Sequence, residues 1–459
     1  MLLSLALGGA VLAILFGVSA FGPTVKIVGL VLCLVAGLVL TRGSFARFVL
    51  ACLVVRSALD ILSAPGANAR SGFISPSGAL AIAFTIAALV WFTFQRLYPS
   101  STPPARPSRL RAPALALVAA ACVSVLSSLV PTASLVEAIR ITAAVVMLLV
   151  LEGLLERGLP VGTLLVAVYA SAVLPMVMAL VQSATHTGVT IGGFRRATGT
   201  FDHPNPLAIY LTFLLVMGVA LFPWVHRPWR LPLAAMLGCG GVVLLLTYTR
   251  SAWIAALLGV LVVGALQSRR LVVATFVGVL GVILLVPSVL SRFSDVGQAQ
   301  YTGAAGDSLT WRFQYWGQLL HLAQSSPLTG IGLKVVQLET VDGKNAHDDF
   351  LRAYVEMGLI GLLAYVALMV ALGLTALAAL RSATTGLERG IAVGFAGTYV
   401  SFALLSTVSN ILSQTVLLWY FFAFAALAAY VAAHGSPTTS AGAVDGLEET
   451  PGPKAEWTA

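Results

Sequence analysis

The 459-residue sequence predicts an all-α integral membrane protein with about 12–14 transmembrane helices. Three observations lead there. Hydrophobic residues make up 59% of the chain and charged residues only 9%, with a mean hydropathy of +0.96; soluble domains carry about 25% charged residues. Apolar runs long enough to cross a bilayer recur along most of the chain. Basic residues gather on alternate connections between those runs, which is how a membrane protein records its orientation.

The runs fall at 2–21, 24–40, 45–62, 78–94, 112–130, 134–155, 160–182, 205–224, 232–248, 251–266, 271–288, 352–380, 389–409 and 414–433. Each approaches the roughly 20 residues that span the hydrocarbon. Residues 2–21 lack a basic leader and a clear cleavage site, so they read as a helix in place of a signal peptide. With the N-terminus in the cytoplasm, the inner connections carry Arg42 and Arg47, then Arg96, Arg106, Arg109 and Arg111, then Arg157, Arg227, Arg230, Arg269, Arg270, Arg381 and Arg389. Such loops account for the net charge of +9 without invoking nucleic acid. The expected location is the cytoplasmic membrane, multi-pass. Residues 1–434 form the membrane domain. Residues 435–459, rich in Gly, Ser, Pro, Thr and acids, read as a disordered cytoplasmic tail.

The four cysteines, Cys33, Cys52, Cys122 and Cys239, all sit in apolar runs without metal-ligand spacing, and read as small core residues. The helical pairs Arg56/Asp60 and Glu137/Arg140 read as ion pairs that fix packing.

Two outer connections stand apart, at about 183–204 and 289–351. The second is the longest polar stretch, and long loops in compact proteins are usually functional or disordered. Within it Leu309, Phe313, Trp316, Leu320 and Ala323 recur at helical spacing, as in an amphipathic helix lying on the membrane surface. Helix-breaking SPLTGIG follows.

Arg195, Arg196, Arg250 and Arg312 break the charge rule by falling on the outer face, and His347 joins them there. Arginines converging at a membrane face suit a polyanion, since the guanidinium fork binds phosphate oxygens in pairs and stays charged. A diphosphate carried on a lipid is the natural anion there, and a histidine beside it can take a proton from an incoming hydroxyl. Group transfer from a lipid diphosphate follows as the expected chemistry. Arg195 and Arg196 also suit interfacial anchoring, and Arg312 suits a solvated helix face. Trp311 and Trp316 suit either an interfacial belt or a sugar platform. His347 shares a helix face with Leu351 by spacing, as Arg352 does with Glu356. Without a second histidine at helical spacing, His347, Asp348 and Asp349 make a poor metal site.

The segments RRATGTFDHPNPLA, TYTRSAW, WRFQYW with SPLTGIGL, and AHDDFLRAYVEMGLIGLL resemble, in order and spacing, the bacterial O-antigen ligase and O-antigen polymerase superfamily over roughly residues 190–375. The resemblance implies a multi-helix fold with its site facing the periplasm or cell exterior. It implies transfer or polymerisation of a glycan from undecaprenyl diphosphate, with inversion and without metal or cofactor. By position, Arg196 matches the arginine before the family's Gly-Thr-Phe stretch, Arg250 the arginine at the helix end, and Arg312 the arginine of the long loop. His347 matches the family's histidine, and Glu356-Met357-Gly358 its Glu-x-Gly. The family usually has Asn where this chain has Asp348, which either raises the basicity of His347 or caps the helix that follows.

The expected catalytic residues are therefore His347, as base, and Arg250. The expected substrate contacts are Arg195, Arg196, Arg312, Asp348, Glu356 and Trp316. The partners are a polyprenyl-diphosphate-linked glycan donor, a glycan, lipid or protein acceptor, and membrane lipids. Ligase and polymerase are not separated by the sequence, and a lipid-linked glycan flippase or other transporter is the competing class.

Overall fold

The computed structural model describes residues 44–62, 76–98, 108–191, 193–285, 309–340 and 343–435. The expected helices 2–21 and 24–40, Cys33, Arg42, Arg106, residues 289–308 and the tail beyond 435 lie outside them. The described chain is an all-α bundle with one small hairpin. Its elements are α1 (Phe45–Arg56), a 3-10 turn (Leu59–Leu62), α2 (Pro76–Leu97), α3 (Arg111–Leu126), α4 (Pro131–Glu156), α5 (Val161–Ala170), α6 (Val173–Ala184), β1 (Val189–Ile191), β2 (Phe194–Arg196) and α7 (Pro204–Leu221). There follow α8 (Arg227–Leu246), α9 (Arg250–Gln267), α10 (Arg269–Leu285), α11 (Leu309–Ala323), α12 (Val335–Glu339), α13 (Asp349–Ser382), α14 (Gly386–Ser406) and α15 (Thr415–His434). Every expected span within the described residues coincides with helix. Nine spans are long and apolar enough to cross a membrane, by length and composition, among the described residues.

α15 is the axis of the bundle. Its sequence is apolar all round, as a helix surrounded by protein must be, and Trp419, Tyr420, Phe421 and Phe424 are fully buried. α4, α7, α13 and α14 pack around it. Outer helices turn large apolar side chains away from the protein, for example Ile86, Leu89 and Val90 on α2 and Phe276, Val277 and Leu280 on α10. Such surface is costly in water and neutral against lipid tails. Cys122 and Cys239 are likewise exposed, whereas Cys52 is buried. Among the described cysteines the core assignment holds for Cys52 alone, because an apolar face in a membrane protein need not face inward.

Close helix approach uses small residues. α9 and α14 cross at Gly259, which has Gly397 and Ser401 against it, and Ser401 Oγ donates to the Ala255 carbonyl at 2.7 Å. The run 160–182 is split into α5 and α6 at Ser171–Ala172. Pro175 has no N–H to offer the Ser171 carbonyl, and that carbonyl instead accepts from Ser57 Oγ at 2.6 Å.

Contacts sort the helix ends into two faces. At one, Arg111 pairs with Glu152 at 2.8 Å and Glu156 at 2.9 Å, while Arg157 bonds Gln95 and lies over the Trp91 ring. At the other, Thr200 reaches Ser57, Leu129 reaches Ile331, Ser134 reaches Leu333, and residues 347–349 reach 410–412. These are the connections the charge pattern assigns to opposite sides of the membrane.

The expected pairs Arg56–Asp60, at 3.3 Å, and Glu137–Arg140, at 3.2 Å, both form. The expected helix of the long connection is present as α11. Tyr315, Leu319 and Ala323 pack inward, while Phe313 and Leu320 are 65% and 46% exposed. Of the expected stripe, Phe313 and Leu320 thus turn away from the protein and Ala323 turns toward it.

Candidate functional site

The site-bearing face is built from three connections. The first is the hairpin and the loop into α7. β1 and β2 pair antiparallel, with Thr190 opposite Arg195. Alternation along β2 exposes Arg195 and buries Arg196, which is 4% exposed. Arg196 Nε donates to the Thr247 carbonyl at 2.6 Å, and its Nη2 donates to Asn205 Oδ1 at 2.8 Å and Thr249 Oγ1 at 2.9 Å. Ala197 N donates to the Leu246 carbonyl at 3.0 Å. The last carbonyls of α8, which have no partner within the helix, are thus capped by the hairpin. Pro204 begins α7, with His203 Nδ1 accepting from Asn205 N.

The second connection is the turn between α8 and α9. Tyr248 takes a positive φ of 50°, its ring resting on Phe194. Arg250 is the first residue of α9 and is half-buried. A helix N-terminus presents free N–H groups and the positive end of the dipole. An arginine there adds to a field that already favours an anion.

The third connection runs from α11 to α13 and is tied to the segment after α14. Arg312 Nη1 donates to the Val408 carbonyl at 3.3 Å, and Trp316 Nε1 donates to the Ala346 carbonyl at 2.7 Å. His347 takes a positive φ of 55° ahead of the helix. The expected face shared with Leu351 is therefore not formed: Asp348 is the N-cap, accepting from Leu351 N at 2.8 Å, and α13 starts one residue later. Burial raises the Asp348 carboxyl above its usual range, against the pull of the Leu351 and Phe350 N–H groups. Asp349 is fully buried and accepts from Ile411 N at 3.0 Å and Leu412 N at 3.1 Å. Asn410 Oδ1 accepts from His347 N at 2.8 Å, and its Nδ2 lies 3.2 Å from His347 Nδ1. Residues 347–349 and 410–412 are thus bonded into one unit.

The antiparallel crossing of α9 and α14 joins the connections. Gly259 meets Gly397, and Ala255 meets Ser401. Continuing that register brings Arg250 level with Ser406, the last residue of α14 and two residues before Val408, where Arg312 bonds. The structure therefore gathers Arg250, Arg312, His347, Asp348 and Trp316 toward one region, with Arg196 behind the turn that carries Arg250.

Glu356 stands elsewhere. It is 1% exposed and accepts from Arg352 Nε at 2.8 Å, while Arg352 Nη2 reaches Glu137 at 3.0 Å. Its setting is a buried ion network and not an open contact surface, because the i,i+4 partner on its own helix claims its carboxylate. Lys334, half-buried, adjoins this network, and burial pushes its ammonium below the usual range against the pull of Glu137. Next to it α13 breaks at Gly358, whose φ is 67°. The SPLTGIG loop fills the break. Ile331 N and Gly332 N donate to the carbonyls of Val355 and Glu356, and Leu359 N and Ile360 N donate to those of Pro327 and Leu328. A Cβ on Gly330 or Gly358 would fall on the facing backbone. Among the described residues no three His, Cys, Asp or Glu side chains group as metal ligands.

Residues 233–366, less than a third of the chain, match the family model described as O-antigen ligase. That stretch is similar to the O-antigen ligase family. The matched stretch holds Arg250, Arg312, Trp316, His347, Asp348 and Glu356 and is shorter than the expected 190–375; Arg195 and Arg196 lie before it. Arg196 is nonetheless bonded to Thr247 and Thr249 inside it. No curated protein matches the chain. Asn205 and Asn410, which sequence reasoning passed over as site residues or did not consider at all, are the side chains that hold Arg196 and His347. Asn410 is 63 residues from His347, so no local pattern could have paired them.

Proposed function

We propose that this protein transfers a glycan from an undecaprenyl-diphosphate-linked donor to an acceptor hydroxyl on a glycan, lipid or protein. The reaction takes place at the outer face of the cytoplasmic membrane. The observation that carries the reading is the α9–α14 register, which brings Arg250 level with the segment that holds Arg312 and His347. Arg250 and Arg312 contact the diphosphate. Arg196 acts behind them, since the Nε–Nη2 edge of its guanidinium is spent on Thr247, Asn205 and Thr249. The acceptor oxygen attacks the anomeric carbon from the side opposite the diphosphate. The bond from that carbon to the diphosphate oxygen breaks with its electron pair on the diphosphate, and the acceptor proton leaves to water at this aqueous face. Arginine charge is best placed where it stabilises the departing anion.

A transporter would use a broken helix to bind its cargo at mid-depth. Here the break in α13 is filled by the chain's own loop, which favours the enzyme. The test is reconstituted protein given a labelled lipid-linked donor and an acceptor. Glycan product with release of undecaprenyl diphosphate is expected, and loss of product in Arg250→Ala and His347→Ala. Translocation of donor without release would overturn the reading.

A further inference from the structure

The two contacts between Asn410 and His347 fix more than position. A backbone N–H can only donate, so the Asn410 atom 2.8 Å from His347 N is its carbonyl oxygen. That leaves the amide nitrogen facing His347 Nδ1 at 3.2 Å. An amide NH2 has hydrogens and no acceptor capacity, so Nδ1 must present its lone pair. In a neutral imidazole the single proton then sits on Nε2. The alternative tautomer would point an Nδ1–H at an N–H, leaving two donors opposed in a half-buried place. The backbone that carries Asn410 is itself held: the next two backbone N–H groups are fixed on the buried Asp349 carboxylate, and Ser413 Oγ donates to the backbone carbonyl of Asn410 at 2.9 Å.

We infer that Asn410 is a positioning residue that locks His347 in the Nε2–H tautomer, so that the ring enters glycan transfer as a hydrogen-bond donor and not as the base the sequence leads one to expect. The inference rests on the glycan-transfer reading. A neutral Nε2–H cannot accept the acceptor hydroxyl's proton. It can donate to an oxygen that gains negative charge, and the arginines at this face give that oxygen its identity: one belonging to the diphosphate. Arg312 bonds Val408, two residues before Asn410. His347 then acts with Arg250 and Arg312 on the leaving group.

The replacement Asn410→Asp separates donor from base. It is close to isosteric and still accepts from His347 N. Its second oxygen, however, demands a hydrogen from Nδ1, which strips the neutral ring of its Nε2 proton. Two measurements follow. In protein labelled with 15N at its histidines, with His347 assigned by difference against His347→Ala, the native ring is expected to show an unprotonated Nδ1 and a protonated Nε2. Asn410→Asp is expected to reverse them. A native ring protonated on Nδ1 overturns the inference whatever the activity. In the reconstituted transfer assay, native activity is expected to stay level as pH passes through the imidazole pKa, because imidazolium and the Nε2–H tautomer both donate. Asn410→Asp keeps an Nε2–H only as imidazolium, so its activity is expected to fall about tenfold per pH unit above that pKa. Native activity that rises with imidazole deprotonation, with Asn410→Asp as active as native, restores the base and overturns the donor role. Full product formation by His347→Ala, with the tautomer as inferred, would instead sink the transfer role given to His347 and leave the tautomer standing.

Discussion

Gly358 and Leu328 meet where α13 breaks: Ile360 N donates to the Leu328 carbonyl at 3.2 Å, and a Cβ on Gly358 would lie on that same carbonyl. With a φ of 67°, Gly358 also occupies backbone space that other residues enter only at a cost of about 1–3 kcal/mol. Gly330, with a φ of 75°, faces the Glu356 carbonyl in the same way. Unsatisfied backbone groups inside a membrane are expensive, and this reciprocal loop removes them. Gly358→Ala and Gly330→Ala are each expected to lower thermal stability in detergent by at least that amount. Equal melting temperatures would show that the loop does not complete the helix.

Arg352 is the second element of that region. It bridges Glu356 and Glu137 from 4% exposure, and removing one member of a buried ion network strands the others. The cost of such a break is about 3–5 kcal/mol. Arg352→Ala is expected to lose that stability, while Arg352→Leu with Glu137→Leu and Glu356→Leu together loses far less. Circular dichroism melts of the purified variants check this. A single variant as damaging to glycan transfer as Arg250→Ala, yet fully stable, would place Arg352 in the site instead.

Arg195, Arg196, Arg250 and Arg312 are expected to separate by measurement. On the proposed mechanism Arg250→Ala and Arg312→Ala each remove a charge from the leaving diphosphate, a loss of about 100- to 1,000-fold in turnover when such a group is catalytic. Folding should be unaffected, since both are only half-buried. Arg196→Lys keeps the charge but cannot reach Thr247, Asn205 and Thr249 from one planar edge. It is expected to lower stability and turnover together. Arg195→Ala, on the exposed face of β2, is expected to change turnover less than tenfold. Turnover of the four variants, beside their melting temperatures, decides among these roles.

How much of this could be read beforehand depended on range. Spans were legible because hydrophobic length is a local property, and the ion pairs Arg56–Asp60 and Arg352–Glu356 because four residues make one helical turn. That Arg312 and His347 share one face was legible from charge asymmetry. What stayed hidden was long-range: Asn410 on His347, the SPLTGIG loop in the break of α13, and Glu137 completing the Arg352 network. The inward contacts of Tyr315 and Leu319 on α11 stayed hidden for a related reason: spacing alone does not say which apolar face of a helix the protein takes.

Asp348 puts a carboxylate where an amide would serve the same cap, and pH reveals the difference. Its side chain accepts from Leu351 N at 2.8 Å, a task Asn performs equally well. Burial raises its carboxyl above the ordinary range in the folded protein. The unfolded chain then releases that proton first, so the stability Asp348 contributes is complete at low pH and is lost as pH rises from the ordinary value of about 3.9 through the raised one. Asn has no proton to lose. Asp348→Asn is therefore expected to match the native protein at low pH and to exceed it in stability above that interval, with glycan transfer retained. Asp348→Ala loses the cap at every pH, about 0.5–2 kcal/mol. Melting curves across the acid range distinguish the cases. An Asp348→Asn protein that is less stable at neutral pH, or that stops transferring glycan while folded, would show that the negative charge itself acts on His347.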